Sequence, residues 1–151
     1  MPTTRVTRML AAPPGDVWEL LANPWQQVRW WPRVVRMEDV TDDRFTQVLG
    51  TARGKGIRAD FRVLERAEPR LLRWEQELPG TPFERILSEA VTTVELAPAA
   101  GEDASGTAVA IELRQQLHGW SRLVPFLFRR AARRQLRDAL AALDEVLSPP
   151  V

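Results

Sequence analysis

Residues 5–21 read Arg5-Val6-Thr7-Arg8-Met9-Leu10-Ala11-Ala12-Pro13-Pro14-Gly15-Asp16-Val17-Trp18-Glu19-Leu20-Leu21. The first part is extended and β-favouring, and with its neighbours predicts a strand over residues 3–11. Pro13-Pro14-Gly15-Asp16 then opens a helix: proline is tolerated in a first turn, and a carboxylate suits the positive end of the helix dipole. Val17, Trp18, Leu20 and Leu21 give that helix one apolar side.

Downstream, Asn23-Pro24 breaks the helix, and a second short one, roughly Trp25–Trp31, stops at Pro32. From Arg33 to about Leu117 the chain reads as a meander of strands. These are Val34–Val40, Arg44–Thr51, Ile57–Arg66, Leu71–Leu78, Ile86–Leu96 and Thr107–Leu117. Their turns are Thr41-Asp42-Asp43, Gly54-Lys55-Gly56 and Glu68-Pro69, then the looser Pro79-Gly80-Thr81-Pro82-Phe83 and a Gly/Ala/Ser/Asp-rich link over 99–106. Strands joined by short turns with no helix between them pair antiparallel.

The remaining segment, Gly119 to about Leu147, predicts one helix of about 29 residues and about 43 Å. Seven strands side by side span about 29 Å, so this helix can cross the whole sheet. Pro125 lies in its first two turns and marks a kink or a late start; Pro149-Pro150 ends it. Repeats, linkers and low-complexity stretches are not seen, so residues 1–151 are read as a single α+β domain.

Alternation assigns the faces. Ile57, Ala59, Phe61 and Val63 oppose Arg58, Asp60 and Arg62; Leu72, Trp74, Gln76 and Leu78 oppose Arg73, Glu75 and Glu77; Val109, Ile111, Leu113, Gln115 and Leu117 oppose Glu112, Arg114 and Gln116. One face is therefore solvated and the other covered. The covered face also collects polar residues: Gln76, Gln115, Gln47, and Ser88 with Thr92 if Ile86, Ala90 and Val94 point inward. Buried polar groups need partners. Either they satisfy one another, or they line a cavity between helix and sheet.

Composition narrows the chemistry. The chain has no cysteine, so disulfides, thiolate nucleophiles and Cys-containing zinc sites are excluded, and its single histidine excludes a multi-His metal cluster. No metal or other cofactor is implied. Net charge is +1, which gives no global field toward nucleic acid or membranes. Arg5 and Arg8 are not followed by the apolar stretch of a signal peptide, and no apolar run is long enough to span a bilayer. The expected location is the cytoplasm, and the expected assembly a monomer or weak dimer.

The order of strand, two short helices, six-strand meander and long closing helix resembles the helix-grip fold of the Bet v1-like, START and polyketide cyclase (SRPBCC) superfamily. The opening 5–21 segment, Trp30-Trp31-Pro32 before the second strand, and the Leu-rich close from Leu136 to Leu147 carry the resemblance. The look is nearest the polyketide cyclase/dehydrase-like branch. The resemblance implies a curved seven-stranded antiparallel sheet around the C-terminal helix, with a hydrophobic cavity between them. Its mouth would lie at Ala52–Gly56, Pro79–Arg85 and His118–Trp120. Its wall would take Phe61, Trp74, Gln76, Thr92, Ile111 and Gln115 from the sheet and Leu123, Val124, Leu127 and Phe128 from the helix, with Phe83 and Trp120 as apolar gates.

Other candidate groups read more plainly. Trp30 and Trp31 are adjacent, so a strand or turn points them apart; they read first as core closers beneath the short helices, with one of them against a ligand as the alternative. His118 is the only group titrating near neutral pH, but its parity places it with the wet face. No catalytic triad or inward carboxylate pair suggests itself, and Gly54-Lys55-Gly56 precedes a strand, which makes it a hairpin turn and not a phosphate loop. Arg129, Arg130, Arg133, Arg134 and Arg137 recur on one helix face. A solvated helix back is the ordinary reading; a membrane surface or an acidic carrier protein is the alternative. Nucleic acid is disfavoured, because no aromatic residues interleave.

Two functions follow: binding of an apolar small molecule such as a lipid, isoprenoid or polyketide, or cyclase/aromatase-like chemistry on such a ligand. The resemblance implies that the enzyme reading uses polar side chains in the cavity, commonly Arg with Tyr or Trp. The chain has no tyrosine, Arg58 and Arg62 read outward, and Arg66 turns inward only through a bulge. His118 and Arg66 are therefore weak catalytic candidates.

Overall fold

The computed structural model describes residues 3–52, 54, 56–99, 106–118 and 125–148. Strand β1 covers Thr3–Leu10 and helix α1 covers Pro14–Ala22. A 3-10 turn, Pro24–Gln26, leads into the single turn of α2, Gln27–Trp30. Asn23 caps this pair: its side-chain oxygen accepts from the Trp25 backbone N–H at 3.1 Å. Six strands follow: β2 Val34–Glu38, β3 Arg44–Leu49, β4 Ile57–Ala67, β5 Leu71–Gln76, β6 Leu87–Pro98 and β7 Thr107–Leu117. Helix α3 covers Pro125–Leu147. The expected earlier turns of that helix, Gly119–Val124, lie outside the described residues. No helix among the described residues is long and apolar enough to cross a membrane.

All seven strands form one antiparallel sheet in the order β1-β7-β6-β5-β4-β3-β2. The hairpins make β2 to β7 neighbours in sequence order, and β1 closes onto β7. The β3–β4 turn carries Gly54 at φ 79°, a left-handed conformation that favours glycine.

The alternation predicted for the solvated face is met by a lattice of ion pairs. Arg58 pairs with Glu38 and Asp39, Arg62 with Glu75, Arg44 with Glu77, Arg73 with Glu65 and Arg114 with Glu89. The covered face holds the main core. Leu136, Ala139, Leu140 and Leu143 of α3, spaced at helical period, pack with Leu10, Val94, Val109 and Ile111 of the sheet and Val17 and Leu21 of α1. At roughly 25 cal/mol per Å2 of apolar surface, each such leucine contributes about 2 kcal/mol. That fixes the C-terminal half of α3 against β1 and β7.

One predicted face is corrected. The register shifts between Leu87 and Glu89, so Leu87 points inward while Ser88 is exposed, and Ile86 lies outside the strand and is 42% exposed. Ser88 therefore does not belong to the covered face. Ala90, Thr92 and Val94 do.

Trp30 and Trp31 both enter the core, as the plainer reading had it. They are not pointed apart: the rings meet edge to face with centroids 5.4 Å apart. Trp31 then meets Trp74 at 6.2 Å, Trp74 meets Phe45 at 5.8 Å, and Phe45 stacks on Phe61 at 5.2 Å. This chain of rings runs from α2 across β5 and β3 to β4.

Candidate functional site: an arginine-edged groove beside the closing helix

Antiparallel pairing brings three connections to one end of the sheet. β3, β5 and β7 all finish there, so the β3–β4 turn, the β5–β6 link and His118 share that end. This is the grouping expected for a cavity mouth. Several exposed large apolar side chains stand there too: Ile57, Ile86, and Phe126 and Leu127 in the first described turn of α3. Phe126, 66% exposed, and Leu127, 49% exposed, point away from the inward face of α3, which runs from Phe128 and Ala132 to Leu136 and Leu143.

Beside α3 lies a groove of about 620 Å3. Pro32 and Arg33, between α2 and β2, form one wall with Leu49 at the end of β3. α3 forms the other through two adjacent rows, Leu127–Ala131–Gln135 and Arg130–Arg134–Asp138, each repeating at four residues. Leu49 also packs on the main core, so the groove floor is continuous with it. Arg33 holds a left-handed φ of 69°, rare for a residue with a side chain, and its carbonyl accepts from the Gly50 N–H at 2.8 Å.

The predicted lining residues separate into groups. Leu127 lines the groove. Trp74, Thr92 and Ile111 are buried, Trp74 and Ile111 in the main core, where ring packing and the α3 leucines fill the space expected to be open. Phe83 and Phe128 pack together with Leu78, Leu87, Ala90 and Leu117 in a second, smaller cluster at the same end. Phe61, Gln76 and Gln115 are half-buried on the inward phase, Phe61 opposite Gln76 and Ala90 opposite Gln115. Trp120, Leu123 and Val124 lie outside the described residues.

The polar residues of the covered face divide as well. Gln47 is satisfied internally: its Nε2 donates to Gln27 Oε1 at 2.6 Å. The indole Nε1 donors of Trp30 and Trp74 are buried without an acceptor among the described residues.

Arg58, Arg62, Arg66 and His118 are all solvent-exposed and do not converge on one point. Arg58 and Arg62 are held in the outer ion-pair lattice. β4 does carry a bulge, between Val63 and Glu65, which brings Arg66 into register with the buried Leu72, yet Arg66 stays exposed at the rim, beside Trp18 and Trp25 in an open cleft. The backbone N–H of His118 donates to the Ile86 carbonyl at 2.8 Å. The weak catalytic pair His118 and Arg66 is thus not brought together with substrate-facing groups. No cluster of three or more His, Cys, Asp or Glu suited to a metal occurs among the described residues.

The α3 arginines form two adjacent rows on their helix face. Arg130 and Arg134 border the groove; Arg129, Arg133 and Arg137 do not. Sequence reasoning also missed Pro32, Arg33 and Leu49 as groove walls. The signal for Leu49 was its inward phase with Phe45 and Gln47; Arg33 carried none, because its placement comes from a backbone conformation.

Residues 1–148 match the family model described as polyketide cyclase / dehydrase and lipid transport. No curated protein matches the chain. Among solved structures it is similar to a START superfamily protein from Mycobacterium smegmatis, at 12% identity over 96% of each chain with a TM-score of 0.72. It is similar to XoxI from Bacillus cereus, at 15% identity, 97% of this chain and 95% of that one, TM-score 0.73. It is also similar to the di-domain ARO/CYC BexL of the BE-7585A biosynthetic pathway, at 23% identity over 96% of this chain and 46% of BexL, TM-score 0.76. At these identities the likeness is one of fold.

Proposed function

The chain belongs to the polyketide cyclase / dehydrase and lipid transport family, and from that premise we propose that it binds an apolar small molecule, a lipid, isoprenoid or polyketide-like compound, in the space between the sheet and α3. The observation that carries this reading is the groove. Its volume of about 620 Å3 falls in the ordinary small-molecule range of roughly 300–1,000 Å3. Leu49, Leu127 and Ala131 offer it apolar walls. Four exposed apolar side chains, Ile57, Ile86, Phe126 and Leu127, stand at the same end and support the reading.

Native mass spectrometry of protein taken from cells tests this directly. A co-purified apolar adduct is expected. If gentle extraction and added fatty acids or polyketide mimics all leave the protein unliganded, the reading fails.

A further inference from the structure

We propose that the groove selects amphiphiles with an anionic head, a carboxylate or a phosphate, and that Arg33, Arg130 and Arg134 receive it. This rests on the ligand-binding reading and adds the chemistry of the head group to it.

The first support is how arginines are partnered. Those on the sheet, Arg66 excepted, are matched with carboxylates: Arg5 with Glu95, Arg8 with Asp144, Arg36 with Glu38, and the outer lattice as described; the α3 arginines are not, and of these only Arg130 and Arg134 border the groove. Arg33, Arg130 and Arg134 make no ion pair among the described residues. Three guanidinium groups therefore edge one groove, against the single carboxylate of Asp138. Guanidinium presents a planar fork of donors that fits carboxylate and phosphate oxygens.

The second is their placement. Arg130–Arg134 runs alongside Leu127–Ala131, one row over on the same helix, and Arg33 faces them across the groove from the wall that also carries Pro32 and Leu49. A cationic edge beside an apolar strip suits an acyl-like chain lying on Leu49, Leu127 and Ala131 with its head between the arginines. The third is the φ of 69° at Arg33, held by the Gly50 contact, which fixes where this cation leaves the chain.

Calorimetry with laurate, dodecyl phosphate and dodecanol tests the proposal. At least one of the two anions is expected to bind about tenfold or more tighter than dodecanol, as charged hydrogen bonds of ordinary strength require; which anion is tighter separates carboxylate from phosphate ligands. Arg130→Gln with Arg134→Gln should erase that preference and leave dodecanol affinity unchanged. Arg129→Gln with Arg133→Gln, on the row away from the groove, should preserve it. Equal binding of dodecanol and both anions overturns the head-group inference alone. Equal loss in both double variants overturns it too, since any positive helix would then suffice. Capture of anionic vesicles with no binding of soluble laurate or dodecyl phosphate assigns the charge to a membrane surface and overturns it. Binding of none of the three probes overturns it together with the ligand-binding reading.

Discussion

Gln47 Nε2 donates to Gln27 Oε1 at 2.6 Å, with both side chains 1% exposed. The bond ties β3 to the single turn of α2, which has no side-chain cap of its own. A helix of one turn cannot be stable alone. The amide pair, together with the burial of Trp30, holds it against the sheet next to the groove wall at Pro32 and Arg33.

Removing one amide of that pair should therefore cost more than removing both. Gln47→Leu leaves Gln27 buried without its partner, at about 1–3 kcal/mol. Gln27→Leu does the reverse. The double variant should recover much of the loss, giving a coupling of about 1–2 kcal/mol in urea denaturation. Strictly additive losses would show that the two amides do not depend on each other.

Trp74 separates packing from hydrogen bonding. Its ring touches Trp31 and Phe45, while its Nε1 is buried with no acceptor among the described residues. Trp74→Ala should cost about 3–5 kcal/mol through the cavity it leaves. Trp74→Phe keeps an aromatic ring and deletes the unmatched donor, so its cost should stay below about 1.5 kcal/mol by chemical denaturation. Equal costs for the two would mean that the indole N–H is satisfied after all.

Most of the fold was legible because it rests on period and punctuation. Alternation over 57–63, 72–78 and 109–117 assigned both faces of the sheet, and Asn23-Pro24, Pro32 and Gly54 marked the breaks. The groove was less legible. Its walls come from two devices that leave no repeat in the chain: the φ at Arg33, and the placement of the Leu127–Ala131–Gln135 row of α3, on the opposite side of the helix from the buried Leu136, beside Leu49. Phase reasoning also carries an error forward whenever a bulge intervenes, and β6 has one between Leu87 and Glu89.

That bulge makes a direct test of side-chain direction. Unbroken alternation would bury Ser88; the shifted register buries Leu87, which packs with Leu78, Ala90 and Leu117. Leu87→Ser should cost about 2–4 kcal/mol, through lost apolar burial and a newly buried hydroxyl. Ser88→Leu should change stability by no more than about 0.5 kcal/mol. The opposite ranking in thermal or urea melts would restore the unbroken phase.

Glu38 sits between two guanidinium groups, and its carboxyl is held below the ordinary 4.5. The hydrogen bond from Arg36, at 2.7 Å, is the largest cause; partial desolvation opposes it, and Arg58 adds to it. A depressed folded value means that the unfolded chain takes up the proton first on acidification. The stabilisation is complete above the unfolded value and is lost as pH falls from there through the folded one. Wild type should consequently lose stability more steeply than Glu38→Gln in that acid window, with parallel curves near neutrality. Urea midpoints followed against pH would read this, and identical acid slopes would show the cluster to be fully screened.

Leu127 offers the cleanest separation of binding from folding. At 49% exposure it contributes little to the core, so Leu127→Gln should shift stability by no more than about 0.5 kcal/mol. On the groove wall the same change exchanges an apolar contact for an amide, and covering half a leucine with ligand is worth on the order of 1 kcal/mol, or roughly a fivefold loss of affinity for an apolar probe. Leu64, 43% exposed on β4 and not part of the groove, supplies the control, since Leu64→Gln should leave affinity untouched. Calorimetric titration of the three proteins with one fatty-acid probe decides it: an unchanged constant for Leu127→Gln would remove the groove from the binding site, even if the protein still takes up the probe.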